Sequence, residues 1–298
     1  MRVRLPSTVV VFMAWLCLTG FAAWPARAAE DCSTLRLGLP AGNDAAGRDL
    51  GAIQAYLSQA ERDLRVVVST ESSVDALRHA IGRGILDASW LTADSYVAAH
   101  DTGVIAILKA MRNGRAGYWS AFIVRADSRY KKIADLKGAT FAWTDATSAA
   151  GYEFPRATLL RLGFNPDAFF ARQSFAGGHD AAVLAVLNGA VDAAATFAFN
   201  TRGTNGAWSG LLDSAQVQQI RVIGYSRQIP SDPIAVRQSY LERCPAAVER
   251  IKNALSATRY YPAAARALNS ILGIDALAPA QDSDYDALRE TRQLLGRP

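Results

Sequence analysis

The sequence predicts an α/β protein of two lobes, each a mixed, mostly parallel sheet flanked by helices, joined by two crossover strands. Three observations predict it. Strand-like and helix-like runs alternate along the chain. One helix–strand unit recurs at a constant offset of 105 positions. About 270 residues remain once an N-terminal leader is set aside, more than one ordinary core holds.

The leader is read from the first residues. Arg2 and Arg4 give a basic start, and residues 9–23 are almost wholly apolar. Pro25 and the small-residue run Ala26-Arg27-Ala28-Ala29 follow, then Glu30-Asp31. A basic head, a short apolar segment and an A-x-A site make residues 1–28 a secretory signal peptide. The apolar run is short for a membrane span, and a retained N-terminal anchor is the alternative. Removing the leader takes away Arg2, Arg4 and Arg27 and no acidic residue, so a net charge of +5 falls to +2. The remaining basic residues are scattered, which excludes a nucleic-acid stripe. Cys17 leaves with the leader. Cys32 and Cys244 remain, and in an oxidising compartment a disulfide between them and two free thiols are both open.

The elements follow in order. Residues 35–39 alternate as a strand, 42–47 form a polar, Gly-bearing loop, 52–60 a helix and 64–69 a β-branched strand. Ser72-Ser73 starts a helix over 74–81, Gly82-Arg83-Gly84 ends it, and 85–91 is the next strand. The recurrence runs from Asp75 through Gly84 to Asp87-Ala88, and again from Asp180 through Gly189 to Asp192-Ala193. Each copy has an acidic first turn, a Gly stop and an Asp-Ala opening a buried strand. Two similarly wound lobes explain this, as does chance likeness of common units. The first lobe takes residues 29–120. A strand over 120–125 crosses into the second lobe, residues 121–222, and a strand over 221–225 returns. Residues 223–298 rejoin the first lobe with helices at 245–258 and 262–272 and a final helix beyond 276.

Chemistry concentrates at two helix starts. In residues 141–151 an apolar strand ends in a turn of small and hydroxylated residues, and Pro155 suits the first turn of the helix that follows. Free amides at a helix start carry partial positive charge. Ala149 and Gly151 let an anion approach, and Thr147 and Ser148 offer hydroxyl donors, the arrangement that holds phosphate or sulfate. The alternative is that Thr147 or Ser148 only caps the helix. The second start is Gly177-Gly178-His179-Asp180, where His179 donates to an oxyanion or is simply an exposed first-turn histidine. In the first lobe, Ser72 opens the recurring helix, Trp90 ends the recurring strand and Tyr118 precedes the crossover. The two aromatics either line a cleft or pack in a core.

Motifs for catalysis are missing. There is no phosphate-binding P-loop, dinucleotide fingerprint, G-x-S-x-G, H-E-x-x-H or C-x-x-C, and His79, His100 and His179 are scattered. No enzyme, cofactor or metal is expected.

With these residues in view, the chain resembles the phosphonate-type periplasmic binding proteins of ABC importers. The resemblance rests on Ile133-Ala134-Asp135-Leu136-Lys137-Gly138, the Thr147-Ser148 turn, Gly151-Tyr152-Glu153-Phe154-Pro155-Arg156, Phe175 to Asp180, residues 183–189 and Val191-Asp192-Ala193. Weaker echoes are residues 87–91 and 229–237. The resemblance implies a two-lobed periplasmic binding protein fold that closes on a small oxyanion resembling phosphonate, phosphate or phosphite. It implies Thr147, Ser148 and His179 as holders of that ion, a periplasmic location, a monomer, and delivery to an inner-membrane ABC permease. A protein presenting its closed state to a membrane receptor or kinase is the alternative, and a periplasmic hydrolase the remoter one. Two departures stand out. Ala149 and Ala150 occupy a turn that the family usually fills with hydroxyls. Phe197-Ala198-Phe199-Asn200 replaces the acidic residues that often hold a ligand amine, so an aminoalkyl ligand is not expected.

Overall fold

A computed structural model describes residues 32–41 and 46–297. The expected leader, residues 1–28, and most of the loop expected over 42–47 lie outside the described residues. Among the described residues no helix is long and apolar enough to cross a membrane.

Strands β1 (Thr34–Pro40), β2 (Arg65–Glu71), β3 (Ala88–Trp90) and β4 (Val104–Met111) begin a first sheet. Strands β5 (Gly117–Arg125), β6 (Thr140–Trp143), β7 (Arg172–Phe175), β8 (Ala193–Ala198) and β9 (Ile220–Pro230) make a second. The chain then returns to the first sheet with β10 (Pro233–Arg237) and β11 (Ala276–Pro279). The first sheet has the order β11-β4-β10-β3-β1-β2 and the second β7-β6-β8-β5-β9. In each, three strands run parallel, β2-β1-β3 and β7-β6-β8, and an antiparallel strand follows, β10 beside β3 and β5 beside β8. Both sheets are therefore mixed and wound alike.

The recurrence in the sequence has a physical basis. Asp87 accepts the Arg36 amide at 2.9 Å and donates its own amide to the Arg36 carbonyl at 2.9 Å. Asp192 repeats this on Thr140, accepting its amide at 2.8 Å and donating to its carbonyl at 3.1 Å. Each aspartate thus pins the strand that follows the helix to the central parallel strand. The two helices, Val74–Gly82 and His179–Leu187, occupy equivalent positions before these aspartates.

The crossovers differ from expectation. Residues 120–125 lie wholly within β5, and the chain passes between sheets earlier, at residues 112–116. Likewise β9 continues past 222 because its pairing with β5 extends to Gly117 opposite Pro230, so the return falls at Ser231-Asp232. Strand β3 is shorter than the run 85–91, since Ile85 is half exposed and Asp87 turns inward to the clamp.

Helices Pro245–Ala257 and Pro262–Leu272 cover the first sheet through Val248, Ile251, Leu255 and Leu268, packed with Leu35, Leu37 and Ile53. Cys32 and Cys244 form a disulfide with Cα atoms 5.6 Å apart, tying the approach to β1 to the start of the helix Pro245–Ala257. The final helix, Asp286–Leu294, does not stay on the first sheet. Its Leu288 joins a cluster holding Leu91 and Tyr96 as well as Ala150 and Phe154 from the start of the helical segment after β6.

The Asp87 clamp makes a checkable claim. Burial raises a carboxyl pKa, but hydrogen bonds from Arg36 and Arg237 outweigh it and hold Asp87 below its ordinary value. Its carboxylate is almost fully buried, while Arg36 is partly exposed and resolvates if released. Asp87→Ala should therefore fall at the low end for breaking a buried pair, about 3 kcal/mol lost at neutral pH. Urea unfolding measures it. The wild-type advantage should shrink as pH falls toward the carboxylate range, because a depressed pKa contributes stability only where the group is ionised.

Candidate functional site

In a parallel βαβ arrangement, helices begin at the carboxyl ends of strands, and crevices open where successive crossovers diverge. In the second sheet that place lies above β6, between the turn after β6 and the turn after β7. A cavity of about 330 Å³ opens there, extends past β8 and β5, and reaches both crossovers between the sheets. Its wall includes Ser148, Ala149, Ala150, His179, Phe197, Phe199, Tyr118, Arg112, Arg115 and Asp232.

The turn after β6 is built tightly. Gly151 donates its amide to Ser148 Oγ at 3.0 Å, and Tyr152 and Glu153 donate to the Ser148 carbonyl at 3.0 and 3.1 Å. The first helical turn, Ala149–Glu153, is consequently wide, and the helix continues as Phe154–Arg161 with Pro155 near its start. A Cβ at Gly151 would lie 1.6 Å from Thr144 Oγ1, so only glycine lets the turn fold onto β6. The amides of Ala149 and Ala150 make no hydrogen bond among the described residues. They belong to residues in the cavity wall.

His179 opens the facing helix. Its Nε2 lies 3.5 Å from Ser148 Oγ and its Nδ1 lies 2.9 Å from the buried Thr196 hydroxyl. When Thr196 donates to Nδ1, the proton sits on Nε2 and faces Ser148 and the cavity. Phe197 meets the imidazole edge-on at 4.9 Å between centroids. Burial, together with the nearby Asp232 carboxylate, pushes the Tyr118 phenol up to about 12, so it stays a donor.

Charge is supplied at the crossovers. Arg112 and Arg115 flank a two-residue turn, Asn113-Gly114, in which both φ angles are positive, at 52° and 69°. Arg112 pairs with Asp232 at 3.1 Å. The cavity wall thus carries two guanidinium groups against one carboxylate, and His179 is kept neutral by burial, which leaves one net positive charge. A net positive, partly apolar cavity with unpaired amides suits an anion attached to an organic group.

Ser148, Ala149, His179 and Tyr118 of the expected residues meet in this cavity. Four others do not line it. Thr147 turns to Asp145, its hydroxyl donating at 2.7 Å. Gly151 lies beneath the turn against Thr144. Trp90 is buried in the core of the first sheet. Ser72 is exposed, and the adjacent Ser73 caps the helix instead, accepting from the Ala76 amide at 3.1 Å. Arg112 and Arg115 are the functional candidates that sequence reading missed. Asn-Gly between two apolar runs is a strong tight-turn signal and marks where they sit. Among the described residues no group of His, Cys, Asp and Glu is arranged for a metal ion.

Comparison with known proteins gives the family and the fold. The sequence pattern of one family, described as ABC transporter, phosphonate, periplasmic substrate-binding protein, matches residues 41–285. The chain belongs to this family. Its characterised relatives include the phosphonates-binding periplasmic protein of Escherichia coli K12, 29% identical over 163 residues. The phosphate-import protein PhnD of Mycolicibacterium smegmatis is 32% identical over 130 residues. These matches cover 53% and 40% of this chain, and 46% and 40% of the two relatives, so the chain spans less than half the length of each. Among solved structures, XAC2383 from Xanthomonas citri bound to chloride superposes with a TM-score of 0.60 at 21% identity, over 89% of this chain and 98% of that one. PhnD1 from Prochlorococcus marinus in complex with methylphosphonate gives 0.56 at 18% identity, over 90% and 100%. The fold is the type II periplasmic binding protein fold, and the family is one of substrate-binding proteins.

The histidine makes a testable prediction. Burial lowers its pKa below the ordinary 6.5, against the opposing pull of Asp145 and Asp180. The unfolded chain therefore binds more protons than the folded one as pH drops below that value, and stability falls. Without ligand, the thermal midpoint of wild type should drop more steeply than that of His179→Asn between about pH 7 and pH 5. Parallel melting curves at matched ionic strength read the difference.

Proposed function

We propose that this protein is the periplasmic solute-binding component of an ABC importer, and that it captures a small phosphonate- or phosphate-like oxyanion between its two halves. The observation that carries the reading is the convergence of Ser148, the Ala149 and Ala150 amides and His179 on one net-positive cavity. In this role the amides and Nε2–H would donate to the oxyanion, and Ser148, whose oxygen accepts from Gly151, would turn its own proton to it. The apolar faces of Phe197, Phe199 and Tyr118 would take the organic part. Closure follows from differential affinity: an anion contacting both crossovers and the second sheet favours whichever arrangement brings them together.

The relatives' names support an importer and its anion, one being named for phosphonates and the other for phosphate import. Binding without turnover is part of the proposal. Ser148 and His179 approach each other like a nucleophile and base, but Nδ1 faces the Thr196 hydroxyl rather than a carboxylate. A protonated imidazole would lack the partner that stabilises it in hydrolytic triads.

Thermal melting and calorimetry with methylphosphonate, phosphate, phosphite and sulfate test the reading. A true ligand at about 100 times its dissociation constant stabilises by about 2.7 kcal/mol, enough to raise the midpoint visibly. His179→Ala should weaken binding by about 1.5–3 kcal/mol, the scale of a hydrogen bond to a charged group. Ser148→Ala should do the same and should also lower the unliganded midpoint, because Ser148 caps the helix. Unchanged dissociation constants in both variants would reject the site.

A further inference from the structure

We infer that the ligand carries a second anionic group, joined to the first by a short apolar spacer, and that Arg115 selects it. This rests on the proposed oxyanion site and goes beyond it.

Volume comes first. A cavity of about 330 Å³ is of the size that holds small organic ligands, more than a bare tetrahedral oxyanion fills. Most of the space is left for something else, and the wall says what. Past the Ser148–His179 end come Phe197 and Phe199, on and just beyond β8, then Tyr118 on β5. The second sheet runs β6-β8-β5, so the oxyanion turn and the start of β5 are two strand spacings apart, about 10 Å. Arg115 stands just before that start.

The guanidinium groups there differ in their commitments. Arg112 is engaged through Nε and Nη2, with Asp232 at 3.1 Å and the carbonyls of Gly273 and Leu272 at 3.1 and 3.2 Å. Asp232 is engaged as well, since it also accepts the Ala93 amide at 3.1 Å. No carboxylate in the cavity wall is left over for a ligand amine. The Arg115 side chain has no hydrogen bond or ion pair among the described residues, although it is half buried and faces the cavity. A guanidinium offers five donors in a planar fork that matches a carboxylate or phosphonate.

The position of Arg115 is also fixed. Arg112 and Arg115 exchange both main-chain hydrogen bonds, at 2.9 and 3.0 Å, across the Asn113-Gly114 turn. The Asn113 amide is held by the Asp275 carboxylate, whose own amide donates to the Met111 carbonyl at 2.8 Å. The backbone that presents the guanidinium is ordered before any ligand arrives, so the ordering cost is confined to the rotamers of the side chain itself.

Calorimetry on the full mature chain decides the matter with length-matched pairs. Phosphonoacetate and phosphonopropionate are compared with ethylphosphonate and propylphosphonate, and aminoethylphosphonate is the cationic control. Wild type should favour the carboxylates by about tenfold or more and bind the amine most weakly, the scale expected for a charge-assisted contact. Arg115→Gln should erase the preference, weakening the carboxylates about tenfold more than the plain alkylphosphonates, and Arg115→Lys should restore part of it. If plain alkylphosphonates bind and a carboxylate adds nothing, or if Arg115→Gln keeps the preference, the inference about Arg115 is wrong and the oxyanion site stands. If wild type binds no phosphonate or phosphate, both fall.

Discussion

A helix cannot satisfy its own first amides, and here that deficit falls beside a cavity. Ser148 Oγ takes the amide of Gly151, and the Ser148 carbonyl takes those of Tyr152 and Glu153. The amides of Ala149 and Ala150 remain without an acceptor among the described residues. An amide without a partner costs up to about 1–3 kcal/mol where it is shielded from water. Water or a bound anion must meet that demand, and an anion also gains from the partial positive charge of the helix start. Replacing hydroxylated residues by Ala149 and Ala150 strips side-chain donors from the turn but leaves this main-chain demand intact.

Why the deficit lies there follows from the winding. The Asp87 and Asp192 clamps pin the strand that follows each recurring helix to the central strand of its sheet, and the parallel winding sets the helix starts at the carboxyl ends. In the second sheet this sets His179 opposite the Ser148 turn. Thr196, one strand away, orients the imidazole. The close packing of Gly151 on Thr144 then determines how near the turn sits to β6. Each of these is local, yet together they place donors from two non-adjacent segments within one hydrogen-bonding distance of each other.

Much of this was legible in the sequence. The repeat spacing exposed the equivalent helices because the clamp needs an aspartate at the same step in both. Small residues before Pro155 and glycines before His179 marked the helix starts. The failures have physical causes too. Thr147 reads like a ligand hydroxyl, but an aspartate two residues earlier captures it, and sequence does not say which acceptor wins. Trp90 ends the recurring strand, but its side chain points into the larger core between β-strands and the helices Pro245–Ala257 and Pro262–Leu272. The return crossover lies later than the run 221–225 suggests, because pairing with β5 carries β9 to Pro230. Arg112 and Arg115 were overlooked because charge scattered along a chain gives no hint of which residues a tight turn will aim at a cavity.

The two crossovers also bear on how the halves can move. Arg112 belongs to one and Asp232 to the other, and their ion pair stitches the connections together beside the cavity. The Ala110 amide adds a bond to the Asp232 carbonyl at 2.9 Å. Rotation about such a joint would displace residues near it least and those far from it most, which would keep Arg115 in register with Tyr118. The final helix spans both sides: Arg292 reaches Asp94 at 3.0 Å, Glu290 reaches Arg161 at 3.6 Å and also pairs with Arg227, and Arg297 pairs with Glu153. Most of these groups are partly solvent-exposed, and exposed pairs contribute about 0–1 kcal/mol each. That is small beside the contact a ligand makes with paired charges and amides in the cavity. The helix is therefore held mainly by the burial of Leu288 among Leu91, Tyr96, Ala150 and Phe154, and pairs this weak would yield to a ligand that favours a more closed arrangement.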